Sequence, residues 1–132
     1  MHPQVDAYLE ALPEPAREAG LLLRTWILDL IPGVEERFSF RIPFYHYFGM
    51  LLYINQKGQG IDIGFCRGKD LLLSYPELQM TNRVMVASLF VENKADLFRL
   101  PVRELITTAA AWNEEAFRQK RPMINKSNQK RR

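Results

Sequence analysis

The chain reads as an α+β domain: a mostly antiparallel sheet of about five strands, with helices packed on one face of it. Two observations lead there. Between Glu35 and Phe65, apolar residues recur at every second position in short runs broken by Gly and Pro, which is the period of a strand. On either side, stretches around Trp26 and Trp112 repeat apolar residues every third or fourth position, which is the period of a helix. Adjacent strand runs with helices at both ends belong to a layered α+β domain, not to one in which strands and helices alternate.

The first helix covers Val5 to Leu12, with Val5, Tyr8, Leu9 and Leu12 on one face. Pro13-Glu14-Pro15 ends it, and Pro15 suits the first turn of a second helix that runs to about Ile31. Ala16, Ala19, Leu22, Leu23, Trp26, Ile27 and Leu30 form its stripe. Glu14 and Glu18 sit at its positive end, and Pro32-Gly33 stops it. Trp26 is expected between this helix and the sheet, so Trp26→Ala is expected to cost about 3–5 kcal/mol.

Period two then takes over. Phe38, Phe40 and Ile42 alternate with Arg37, Ser39 and Arg41 as one half-buried strand, interrupted at Pro43. Residues 45–48 read as a short strand, Gly49 as a turn and residues 50–56 as a further strand. Lys57-Gly58-Gln59-Gly60 is a hairpin loop, and Ile61, Ile63 and Phe65 line the inward side of the return strand. Gly68 opens a short helix through Leu73, ended by Tyr75-Pro76. Residues 78–83 are a polar loop. Residues 84–91 are apolar on both sides, which predicts a strand that is central or well covered. Pro101 begins the last helix, with Val102, Leu105, Ile106, Ala109, Trp112, Ala116 and Phe117 toward the core. The order is α-α-β-β-β-β-α-β-α.

The 132 residues suffice for one domain, assigned to residues 1–117, and residues 118–132 hold the end of the last helix and a basic tail. The net charge of +3 is uneven: residues 118–132 carry seven basic residues and no acidic one, leaving eleven basic against fifteen acidic in residues 1–117. The tail is too polar to order itself. Its basic residues suit weak, nonspecific contact with nucleic acid, at a log–log salt slope of about −6. Cys66 is the sole cysteine and excludes an internal disulfide. No charged-then-apolar leader opens the chain and no apolar run reaches membrane-spanning length, so a cytoplasmic protein is expected.

Several motifs resemble the YdhG-like family of domains of unknown function. They are Val5-Asp6-Ala7-Tyr8-Leu9 with Leu12-Pro13, the segment from Glu35 to Ile42-Pro43, the strand end Gly64-Phe65, the turn Arg67-Gly68 with Leu71, and the helix after Leu100-Pro101. The likeness spans roughly residues 4–117. It implies a frataxin-like sheet backed by helices, and some members are described as iron chaperones. It implies no catalytic residues.

The residues that carry chemistry fall into five groups. The sheet's outward side is expected to gather Arg37, Arg41, Tyr45, Tyr47, Tyr53 and Asp62, a density of Arg and Tyr suited to binding a small molecule or a protein. Arg67-Gly68-Lys69 before a helix suits an anion, against the plainer reading of a turn that needs the freedom of Gly68. For the alternative role in iron handling, Asp6, Glu10, Glu14 and Glu18 offer hard oxygen ligands on helices, against a solvated acidic surface. His2 and His46 lack ligand partners in register, and Cys66 lacks a base beside it. The basic tail is the fifth. No cofactor is implied. The expectation is a small binding protein and not an enzyme, with its ligand and oligomeric state open, a homodimer included.

Overall fold

A computed structural model describes residues 2–80 and 83–122. Its frame is a five-stranded antiparallel meander: β1 (Glu35–Ser39), β2 (Ile42–His46), β3 (Met50–Lys57), β4 (Gly60–Phe65) and β5 (Ala87–Val91), neighbours in chain order throughout. Helices α1 (Pro3–Glu10) and α2 (Ala16–Leu30) precede it, and α3 (Lys94–Arg99) and α4 (Val102–Arg118) follow. A 3-10 turn, Gly68–Leu71, lies between β4 and β5. The expected α+β arrangement is present. The basic tail expected over residues 118–132 lies outside the described residues from residue 123 onward.

Period two decides what each face of the sheet buries. Tyr45, Leu52, Phe65 and Ala87 stand side by side in register, as do Ile54, Ile63 and Leu89, and all are buried. Val5 and Leu9 of α1, Leu23 and Ile27 of α2, and Leu105, Ile106 and Ala109 of α4 close over them as one core. This is the inner face. The opposite, outer face carries the row Arg37, Phe44, Tyr53, Gly64 and Ser88, and the row Asn55, Asp62 and Phe90.

The strand expected through Phe40 and Arg41 is instead a hairpin. Both residues take left-handed φ angles, 55° and 64°, and Ser39 pairs with Ile42 across the two-residue turn. That geometry matches the twist of the flanking strands. Asn or Gly usually supplies it, so its occupation by Phe and Arg hides it from the sequence. Pro43 does not break the sheet: it pairs with Phe38, next to the turn-closing pair, where its missing N–H belongs to no β1 bond. At the other end of β2, Tyr45 faces Leu52 but His46 faces Met50, so Leu51 is the extra residue of a β-bulge.

Four further expectations are corrected. β5 starts at Ala87, with Val84 exposed, and is well covered but not central: it is an edge strand with four of five residues buried, and Gln79 exchanges two backbone hydrogen bonds with Ser88 on its free side. The short helix α3 intervenes before Pro101, capped by the Asn93 side chain. Trp26 is not under the sheet: it is half-buried, edge-on to Phe98 of α3 at 5.3 Å, with the Arg103 guanidinium 4.7 Å from its ring centre. Phe117 is 62% exposed and meets Phe48 instead of the core. The buried stripe of α2 is Ala16, Ala19, Gly20, Leu23, Arg24 and Ile27, which places Trp26 at its margin.

A charged residue lies inside that stripe. Arg24 is 5% exposed and grips the Glu36 carboxylate with Nε at 2.7 Å and Nη2 at 2.6 Å, while its Nη1 meets Asp6. Tyr45 Oη donates to the same Glu36 carboxylate at 2.8 Å. Burial works against the charge on Glu36, but the hydrogen bonds from Arg24 and Tyr45 outweigh it and hold the carboxyl below its usual range. One clasp thus joins α1, α2, β1 and β2.

Candidate functional site

Among the described elements, the helices lie on the inner face, so the outer face is where side chains are free to meet a ligand. Its centre is the segment Gly60-Ile61-Asp62-Ile63-Gly64 of β4, whose even positions point outward. The two glycines let rings from the adjoining strands lie down on the backbone. A Cβ at Gly64 would stand 2.1 Å from Tyr53 Cζ, and one at Gly60 would stand 2.6 Å from Phe90 Cζ. Asp62 therefore rises between two flattened aromatic rings, with Asn55 and Phe90 directly opposite it on the neighbouring strands.

Arg83 reaches over this region from the connection that leads into β5. Its Nη1 donates to Tyr53 Oη at 2.7 Å, its Nη2 to Ser88 Oγ at 2.8 Å and its Nε to the Met80 carbonyl at 3.1 Å. Three bonds on a planar fork leave it one orientation. Lys57 stands at the far end, with Nζ 3.8 Å from the Asp62 carboxylate and 5.9 Å from the centre of the Phe90 ring. Lys57, Asp62, Gln79, Arg83, Ser88 and Phe90 enclose a recess of about 280 Å³. Two cations and one carboxylate give its lining an excess of one positive charge. Burial raises the Tyr53 phenol, and the neighbouring Arg83 charge opposes that rise.

A second recess, of about 430 Å³, opens where β1 meets the turn after β2, among Gly33, Glu35, Arg37, His46, Tyr47, Phe48 and Gly49. Arg37 is held by Glu35 at 2.5 Å. Burial and the Arg37 charge lower the His46 pKa, with the Glu35 charge opposing them, which favours the neutral imidazole. Asn113 of α4, 1% exposed, fixes the turn by donating to the Tyr47 and Met50 carbonyls, both at 3.0 Å.

The six residues expected to share the sheet's outward side, and Arg67 expected at a separate anion-binding turn, are thus divided. Asp62 lines the first recess, and Tyr53 serves it indirectly by accepting from Arg83. Arg37 and Tyr47 line the second, with the Tyr47 hydroxyl directed to Glu114 of α4 at 3.2 Å. Arg41 is exposed on the hairpin turn. Tyr45 was expected to point outward but is fully buried on the inner face, because the two-residue turn at Phe40 and Arg41 shifts the alternation expected from Arg41 onward. Arg67 is also withdrawn: it is 9% exposed and donates to the Arg121 carbonyl at 2.7 Å, tying down the end of α4. Gly68 is needed there for space, not for a left-handed φ, since a Cβ would stand 2.6 Å from Ala87.

The acidic set proposed for iron is already engaged by protein cations. Asp6 pairs with Arg24, Glu10 and Glu14 with Arg17, and Glu18 with Lys94. Among the described residues, no group of three or more His, Cys, Asp or Glu side chains is placed to hold a metal ion. Among the same residues, no helix is long and apolar enough to cross a membrane.

Lys57, Gln79, Arg83, Ser88 and Phe90 were not singled out from the sequence. The Gly-x-Asp-x-Gly pattern of β4 was the available signal, because glycines two residues either side of an outward carboxylate make room for neighbouring rings. Nothing in the sequence pattern marks Arg83. Comparison of the chain with family models, with curated proteins and with solved structures gives no match in any of the three.

Proposed function

We propose that this protein works by non-covalent binding, holding a small polar molecule in the recess between β3, β4 and β5. The observation that carries this reading is the convergence of Arg83, held by three hydrogen bonds, with Lys57, Asp62 and Ser88 beside the Phe90 ring, on a face over which no described helix packs. A few oriented polar groups beside an apolar wall are what a small-molecule site needs.

The local chemistry favours holding a ligand over transforming it. Ser88 Oγ is occupied by a guanidinium, which cannot take up its proton. Burial pushes the Cys66 thiol up to about 12, so the nucleophilic thiolate is scarce at neutral pH. The likeness to the YdhG-like family belongs to the same proposal, as a reading of kinship and not of ligand.

A thermal-shift screen of polar metabolites against the whole chain tests it. A true ligand at 100 times its dissociation constant stabilises by about 2.7 kcal/mol. Its NMR footprint should fall on the outward residues of β3, β4 and β5. A screen without hits, or hits whose footprint lies elsewhere, overturns the reading.

A further inference from the structure

We infer that the recess is built for a small polyhydroxylated anion: a monosaccharide carrying one phosphate or carboxylate group. This rests on the binding function proposed above and names the chemistry of its ligand. The floor is the Asp62 carboxylate, whose side chain is 13% exposed. Lys57 Nζ, at 3.8 Å, is too far to fill its lone pairs with a direct hydrogen bond. A carboxylate in that position accepts from two neighbouring hydroxyls at once, as acidic side chains do on ribose.

The charges around the floor narrow the class. A ligand ammonium on Asp62 would stand against the Lys57 ammonium and near the Arg83 guanidinium, so amino acids and polyamines are disfavoured. A bare metal cation meets the same repulsion. Hydroxyls donate without charge and avoid it. The excess positive charge of Lys57 and Arg83 then selects for one anionic group on the same molecule. Phe90, 43% exposed, offers its ring to the C–H side of a sugar. A volume of about 280 Å³ suits a single sugar unit and is small for a nucleotide.

Isothermal titration of the whole chain with D-ribose 5-phosphate, D-glucose 6-phosphate, D-glucuronate, D-ribose, D-glucose and inorganic phosphate tests the inference. At least one charged sugar should bind saturably, about tenfold or more tighter than its neutral counterpart or inorganic phosphate. The phosphate and carboxylate arms show which anion is preferred. Asp62→Asn keeps the shape of the floor but replaces one acceptor by a donor, so it should weaken that binding about tenfold or more. Lys57→Met keeps the aliphatic stem and should abolish the preference for charged over neutral sugars. Lys57 is exposed and Asp62 half-buried, and thermal unfolding of each variant checks that it folds. Equal affinity in Asp62→Asn and the parent chain overturns the inference, as does the lack of saturable binding by any charged sugar. If the metabolite screen instead yields a recess ligand without hydroxyls, this inference falls while the binding function stands. If no metabolite reaches the recess, both fall.

Discussion

The outer face owes its shape to two residues without side chains. Gly64 allows the Tyr53 ring to lie on the backbone of β4, and that ring carries the hydroxyl that orients Arg83. Gly64→Ala places a methyl group where the ring now lies, so Tyr53 must lift and release its bond to Arg83. Overpacking of this kind costs about 1–3 kcal/mol. Tyr53→Ala removes the ring, and in that background the added methyl meets no ring. Urea unfolding of the two single variants and the double should therefore show coupling of about 1 kcal/mol or more. Strict additivity would mean that the ring does not rest on Gly64. At this scale the sequence was only partly readable. Asp62 and Tyr53 stood out by type and period, whereas Arg83 acts from a connection whose path depends on tertiary structure.

Among the elements, legibility followed the strength of the local signal. β3 and β4 were found within a residue of their ends, because Gly58 and Gly60 mark their hairpin and the apolar positions alternate without a break. The β1–β2 hairpin leaves no local signal, because its left-handed turn uses Phe40 and Arg41 where Gly or Asn would announce it. The apolar run at residues 84–91 signals cover and not position: β5 is an edge strand with four of its five residues buried, and Val84 and Phe90 are left exposed. In α2 the stripe was read correctly in period but rotated: a buried arginine looks like a boundary until its carboxylate partners are known. The rotation has a measurable consequence. Ile27 faces the core and Trp26 faces α3, so Ile27→Ala should cost about 2–5 kcal/mol. Trp26→Ala should cost less, about 1–2 kcal/mol, for partial burial and one cation–π contact. Chemical denaturation of both variants checks the order, and a Trp26 variant as unstable as the Ile27 one would restore the orientation expected from the sequence.

On the scale of the molecule, the two faces of the sheet are joined by how the charges are disposed. The outer recess holds its charges near solvent, while the inner clasp of Arg24, Glu36, Tyr45 and Asp6 holds its own between α1, α2, β1 and β2. Removing the Glu36 charge leaves the buried Arg24 guanidinium with Asp6 as its remaining carboxylate partner, so Glu36→Gln should cost about 2 kcal/mol at pH 7. The pH dependence separates charge from packing. Glu36 is held below its ordinary value of 4.5, chiefly because its bonds to Arg24 and Tyr45 overcome the effect of burial. A carboxyl depressed on folding adds stability that is fully present above the unfolded pKa and lost as pH falls through the folded one. The parent chain should accordingly keep its full advantage over Glu36→Gln at pH values well above 4.5 and lose it as pH falls through that value and below. Urea midpoints of both proteins between pH 7 and pH 3 measure this. A gap that stays constant over that range would assign the clasp's contribution to shape, and would leave Arg24 without the ionic role its burial demands.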